Sequence, residues 1–137
     1  MRTEDLQRKD WLYYKGRFNA FPFQVEQITR KKIGYHAEPN ENKMYYLHPS
    51  EVYPIPLTKE WVARNFPLNE EYQLVFGSED TFFYQIDANG KKWNLVWIIR
   101  KDEEYLFIED DPLIKMRYIH ELQHVLKLCG INKEITL

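Results

Sequence analysis

Apolar and polar positions alternate with a period of two through most of the first hundred residues, and a helical period appears only near the end of the chain. "WLYYKGRF" predicts a strand running into a turn at Lys15-Gly16, and "FQVEQIT" (Phe23 to Thr29) alternates as a half-buried strand does. "KIGYH" and "KMYYLH" flank the polar loop "AEPNEN", which makes four short strands in this part. In "PSEVYPIPL" the prolines at 49, 54 and 56 remove backbone donors and confine the segment to a sheet edge or to the closing of a small barrel.

Thr58 then stands where a helix cap is expected, with Leu57 and Val62 spaced as a hydrophobic staple around it. This places a lobe boundary between 1–57, a small β-barrel, and 58–137, a short helix followed by a meander and a terminal helix. The meander is read from "EYQLVF", the two arms of "TFFYQIDANGKKWNLVWIIR", and "YLFI". Asn89-Gly90 between two β-rich runs is a strong hairpin signal. Trp93, Leu95, Trp97 and Ile99 fall on one face of that sheet, while Phe83 and Val96 leave the other face apolar as well. "EDDPLIKMRYIHELQHVLKLCG" predicts a helix with Asp111 near its cap, Pro112 in the first turn and Gly130 just past its end. On a helical wheel centred on Leu122, the residues Lys115, Tyr118, Ile119, Val125, Leu126 and Cys129 form the inward stripe, and His120 and His124 face away from it. The expected class is α+β: an N-terminal barrel, then an antiparallel meander packed against one C-terminal helix.

Composition narrows this little further. Hydrophobic residues are 44% of the 137, with 10 Tyr, 8 Phe and 4 Trp, far too much ring surface for a disordered chain. The formal charge of −2, from 19 basic and 21 acidic residues, gives no general attraction to nucleic acid or to an anionic membrane. The single cysteine, Cys129, leaves no partner for an intramolecular disulfide and no cysteine zinc cluster, and on the inward stripe it reads as a core thiol. "MRTEDLQRKD" lacks the apolar run of a signal peptide, so a cytoplasmic protein with no membrane association is expected.

One motif carries possible chemistry. His120, Glu121 and His124 stand in the HExxH order of zinc peptidases, in which two histidines one helical turn apart bind zinc and the glutamate acts as base. Such a site needs a third protein ligand and a shaped cavity. The extended form of the motif requires Gly at 127 and His at 130, where this chain has Lys127 and Gly130, and Glu134 lies too close to serve from a second helix. Only His36 and His48 remain as donors from elsewhere. The preferred reading is therefore of surface histidines with no metal and no cofactor; His120 and His124 are the ligands only if the zinc-hydrolase alternative holds. "EDD" (Glu109 to Asp111) is read as carboxylates complementing a helix dipole rather than as a cation site.

"IGYHAEPNENKMYYLHPSEVYPIPLTKEWV", followed by a β-rich stretch and "IKMRYIHELQHVLKLCGINKEITL", resembles a family of small uncharacterised proteins from phages, prophages and mobile elements of gut anaerobic bacteria. Its most specific parts are "PIPLTKEW" (Pro54 to Trp61) and "YIHELQH" (Tyr118 to His124). The resemblance implies an SH3-like form for the first lobe. It also implies no zinc chemistry, because family positions matching Glu121 and His124 commonly carry Gln and Asn. The reading that follows is a noncatalytic interaction module binding an unknown protein or nucleic acid. The candidate surface joins Arg30, Lys31, Lys32 and Tyr35 to the outer rings of two tyrosine pairs, Tyr14 and Tyr46. The alternatives are a zinc-dependent hydrolase and a structural or assembly protein.

Overall fold

Period-two alternation becomes strand pairing over residues 11–54 of the computed structural model, which describes residues 1–38 and 41–137. Contacts divide the chain into two units, Met1–Ile55 with Tyr118–His124, and Pro56–Arg117 with Val125–Leu137. The architecture is α+β: two antiparallel sheets and, among the described residues, three α-helices.

In the first unit β1 (Trp11–Lys15), β2 (Ala20–Ile28), β3 (Ile33–Tyr35), β4 (Tyr45–Leu47) and β5 (Val52–Pro54) form one sheet in the order β4-β3-β2-β1-β5. Alternation puts Leu12, Phe23, Val25, Ile33 and Val52 inward, where Leu6 joins them in a buried cluster. The rings of Tyr14, Phe21, Tyr35 and Tyr45 pack in sequence along its border, with centroids 5.1 to 5.7 Å apart. A register shift between Val25 and Gln27 bends β2 so that it pairs with β1 at one end and β3 at the other. The expected barrel is not closed: β4 and β5 stand at opposite edges of the sheet without pairing. Both are three residues long, and the outer strand β5 ends on Pro54, which has no N–H to offer. The polar loop predicted at 37–42 includes positions 39 and 40, which lie outside the described residues.

In the second unit α1 (Lys59–Asn65) begins at Thr58, whose side chain accepts from the Trp61 N–H at 3.1 Å, and Leu57 and Val62 are both buried as the staple spacing requires. The sheet runs β6 (Thr81–Ala88), β7 (Lys91–Arg100), β8 (Glu103–Ile108), β9 (Asp111–Met116). Asn89 and Gly90 both have positive φ, 56° and 73°, the conformation of a two-residue hairpin turn. Tyr84, Leu95 and Ile108 align across one buried face, and Phe83 and Val96 are buried on the other.

Two predicted elements are different. "EYQLVF" is not a strand but most of α2 (Glu70–Phe76). Asn69 caps it by accepting from the Tyr72 N–H, Glu70 and Glu71 complement its dipole, and Tyr72 and Phe76 meet at 5.4 Å as neighbours one turn apart. The Gln73 side chain fastens α2 to β6 by donating to Thr81 O and accepting from Phe83 N–H, and Tyr72 covers the Phe83 ring. The sheet is still a four-stranded meander because residues 111–116, predicted as the first turns of the last helix, are its fourth strand. Pro112 is tolerated there because β9 is an edge, and Lys115 lies on that exposed edge rather than on a helical stripe. The "EDD" carboxylates accordingly sit at the β8–β9 turn and not at a helix end. The terminal helix is only α3, Ile119–Leu128. Among the described residues no helix is long and apolar enough to cross a membrane.

Candidate functional site

Within the first unit, residues 118–124 lie against the N-terminal segment, and this reverses the expected orientation of one histidine. Ile119 and Leu122 are buried as predicted, but so is His120, at 7% exposure, while Tyr118 of the predicted inward stripe is exposed. A helical wheel assumes one covered face. Here the first turn is covered on a second side by residues of the segment 4–10, so a position opposite Leu122 is buried too. His124 is half-buried.

The group that holds them is Asp10, which is 2% exposed. His124 Nε2 lies 2.8 Å from both of its carboxylate oxygens, and the Gln7 N–H donates to Oδ2 at 2.8 Å. A carboxylate only accepts, so Nε2 carries the hydrogen of this contact. The backbone around Asp10 is unusual. Lys9 has φ 75°, and its N–H and the Asp10 carbonyl bond Val25 on either side. Gln123 grips the same stretch, accepting from the Trp11 N–H and donating to Lys9 O, each at 2.8 Å. Two consecutive residues of α3 thus fix three consecutive residues at the start of β1.

His120 stacks on Tyr118 at 6.1 Å between centroids and meets the His124 ring edge-on at 5.5 Å. Its Nδ1 is buried without a hydrogen-bond partner. Burial pushes the His120 imidazole below its ordinary pKa; Asp10, Glu121 and Asp5 pull the other way, His124 adds to the depression, and the net is downward. These rings, with Glu4, Asp5 and Glu121, line a cavity of about 580 Å³ in the first unit.

This is not the geometry of a zinc peptidase. Glu121 accepts from the Tyr118 N–H at 3.0 Å, so its carboxylate satisfies a donor of the helix's own first turn. The Nε2 of His124 is committed to Asp10. His36 Nδ1 contacts Lys43 O at 2.9 Å and His48 Nδ1 contacts Ser50 Oγ at 2.7 Å, so both candidate third ligands serve local turns. Among the described residues no three His, Cys, Asp or Glu side chains are placed to hold a metal ion.

Of the residues predicted for a binding face, the basic turn and Tyr46 lie side by side, while Tyr14 and Tyr35 belong to the aromatic row. Arg30, Lys31 and Lys32 are exposed at the β2–β3 turn. Tyr46 is exposed, but Lys32 Nζ stands 5.5 Å over its ring and its hydroxyl donates to Gln27. Tyr35 and Tyr14 are half-buried in the aromatic row, and the Tyr14 hydroxyl donates to Glu51. Cys129 is half-buried. Asp10 went unread because it lies 114 residues from His124 and no spacing rule joins them.

No family model, no curated protein and no solved structure matches this chain.

Proposed function

We propose that this protein is a noncatalytic interaction module of phage, prophage or mobile-element origin that docks a partner protein through α2. The observation carrying this reading is the apolar end of that helix, where Leu74 and Val75 are 87% and 65% exposed and Phe76, whose ring meets Tyr72 and Phe83, is still 62% exposed, although the helix is capped and anchored to β6. Leu74 and Val75 left in water beside the partly exposed Phe76 ring form the kind of patch that a partner covers. In this reading the five-stranded sheet, with its 3-10 turn at Pro49–Glu51 before the last strand, is an SH3-like element.

A protein is favoured over a nucleic acid because the net charge is −2 and the exposed Tyr46 ring beside the basic turn already has Lys32 over it, which removes a stacking platform. The test is affinity capture from host extract, followed by reconstitution of the complex from purified components. A one-to-one complex that is lost in Leu74→Ser/Val75→Ser supports the reading. A complex indifferent to that variant, no reconstituted complex, or light scattering that shows only a self-assembled oligomer removed by the same variant would sink it.

A further inference from the structure

Resting on the reading of α2 as the docking element, we propose that the partner segment lying on it is a basic amphipathic helix, with lysine or arginine side chains one turn from its leucines. The apolar patch supplies the surface, and the charge around it selects the partner. The chain has 19 basic residues, yet none falls between Arg64 and Lys91, and the same stretch holds Glu70, Glu71, Glu79, Asp80 and Asp87.

Helical spacing interleaves the two kinds of side chain. Tyr72, Gln73 and Phe76 face β6, so at about 100° per residue Glu70, Glu71, Leu74 and Val75 fall on the opposite side of α2. All four are exposed. Glu70 stands one turn before Leu74 and Glu71 one turn before Val75, a rise of about 6 Å along the axis. Glu79 follows in the exposed turn after Ser78, three residues beyond Phe76. Among the described residues Glu70, Glu71 and Glu79 have no ion pair and no side-chain hydrogen bond. Asp80 lies with Arg100 and Lys101 around a neighbouring cavity and is not counted with them.

This placement disfavours other occupants. Carboxylates stand at both ends of the patch, so two copies packed through α2 would bring like charges together whether the helices ran parallel or antiparallel. Anionic lipid and nucleic acid meet the same repulsion. A basic amphipathic helix repeats the one-turn spacing of α2 with opposite charge, so its leucines can cover Leu74 and Val75 while its cations reach the carboxylates.

The experiment is titration of the full chain at low salt, followed by fluorescence anisotropy, with a labelled leucine-lysine amphipathic peptide of about 18 residues, long enough to be helical, and with its leucine-glutamate counterpart. One-to-one saturable binding of the lysine peptide alone is expected. Glu70→Gln/Glu71→Gln/Glu79→Gln keeps the Asn69 cap and every apolar side chain, and should weaken binding at least about threefold, as a few exposed charge pairs allow. Glu70 and Glu71 also complement the helix dipole, so Glu79→Gln alone, outside the helix, is measured as well and should weaken binding by a smaller factor. Leu74→Ser/Val75→Ser should weaken it at least about tenfold through lost apolar surface. Binding that needs Leu74 and Val75 but is unchanged by the glutamine variant, or equal binding of the glutamate peptide, overturns the basic partner and leaves α2 as the docking element. Binding of the lysine peptide that the serine variant leaves unchanged overturns both. Absence of saturable binding by the lysine peptide overturns the proposal. A dimer of the chain alone, or attachment to phosphatidylglycerol vesicles, that the serine variant abolishes overturns it too, by giving the face to a second copy or to a membrane.

Discussion

His124 and Asp10 stand 114 residues apart in the chain, yet the imidazole Nε2 lies 2.8 Å from each oxygen of the aspartate. The pair ties the first turns of α3 to the start of β1, and Asp10 has almost no access to water. Losing the histidine would leave a buried carboxylate short of a donor, and losing the aspartate would leave a half-buried imidazole N–H without an acceptor. Asp10→Ala is expected to cost about 2 to 4 kcal/mol and His124→Ala about 1 to 3 kcal/mol in urea unfolding, as for other buried pairs broken from one side. The double variant should cost less than the sum by about 0.5 to 3 kcal/mol, the coupling usual for contacting residues. Additive losses would show that the two groups do not stabilise one another.

The direction of the His120 shift fixes a pH dependence. Its native pKa lies below the unfolded value, so the unfolded chain binds the proton more readily. The contribution of a neutral, buried His120 is therefore complete above the ordinary histidine pKa of about 6.5 and is lost as pH falls through the lower native value. Unfolding free energy measured from pH 7.5 down to pH 5 should decline, and His120→Leu should flatten the decline with the facing groups Asp10, Glu121, Asp5 and His124 left in place. A variant as acid-sensitive as the wild type would place the sensitivity elsewhere.

At the β6–β7 hairpin the backbone itself makes the prediction. Gly90 has φ 73° and nothing within 4 Å of where a Cβ would stand, so Gly90→Ala meets no clash and should cost only the left-handed backbone penalty of about 1 to 2 kcal/mol. Asn89 also donates from its side chain to Gly130 O at 2.8 Å, so Asn89→Ala loses that bond together with a residue suited to positive φ and should cost at least as much. Thermal unfolding of the two variants decides it. An unchanged melting temperature for both would mean that the turn relaxes to another type.

Local signals were legible and long-range ones were not. Thr58 and Asn89-Gly90 act through neighbours a few residues away, and both do in the structure what their spacing predicts. "EYQLVF" carries Tyr72, Leu74 and Phe76 at strand spacing, but also Tyr72 and Phe76 at helical spacing, and the Asn69 cap with the Gln73 anchor to β6 decided for the helix. "DPLIKM" carries no β alternation of its own, and it is a strand because β8 offers it an edge. His120 was misplaced for the same reason. A wheel knows one face of a helix, and the second face was supplied by residues more than a hundred positions earlier.

The zinc question can now be put as an experiment on stability. A bound metal stabilises the native state by mass action, about 2.7 kcal/mol at a hundredfold excess over its dissociation constant, and for a chain of this length each kcal/mol raises melting by several degrees. In this structure Glu121 holds the Tyr118 N–H, His124 Nε2 holds Asp10, and no third ligand is placed among the described residues. Stoichiometric zinc should therefore leave the melting temperature unchanged, and a chelator should not lower it. His124→Ala should melt lower than the wild type by the same amount with or without the chelator, because what it loses is Asp10 and not a metal. If zinc instead raises the wild-type melting temperature by several degrees and His120→Ala and His124→Ala are both insensitive to it, the histidines must turn away from Asp10 to bind the ion, and the zinc-hydrolase reading regains its ground.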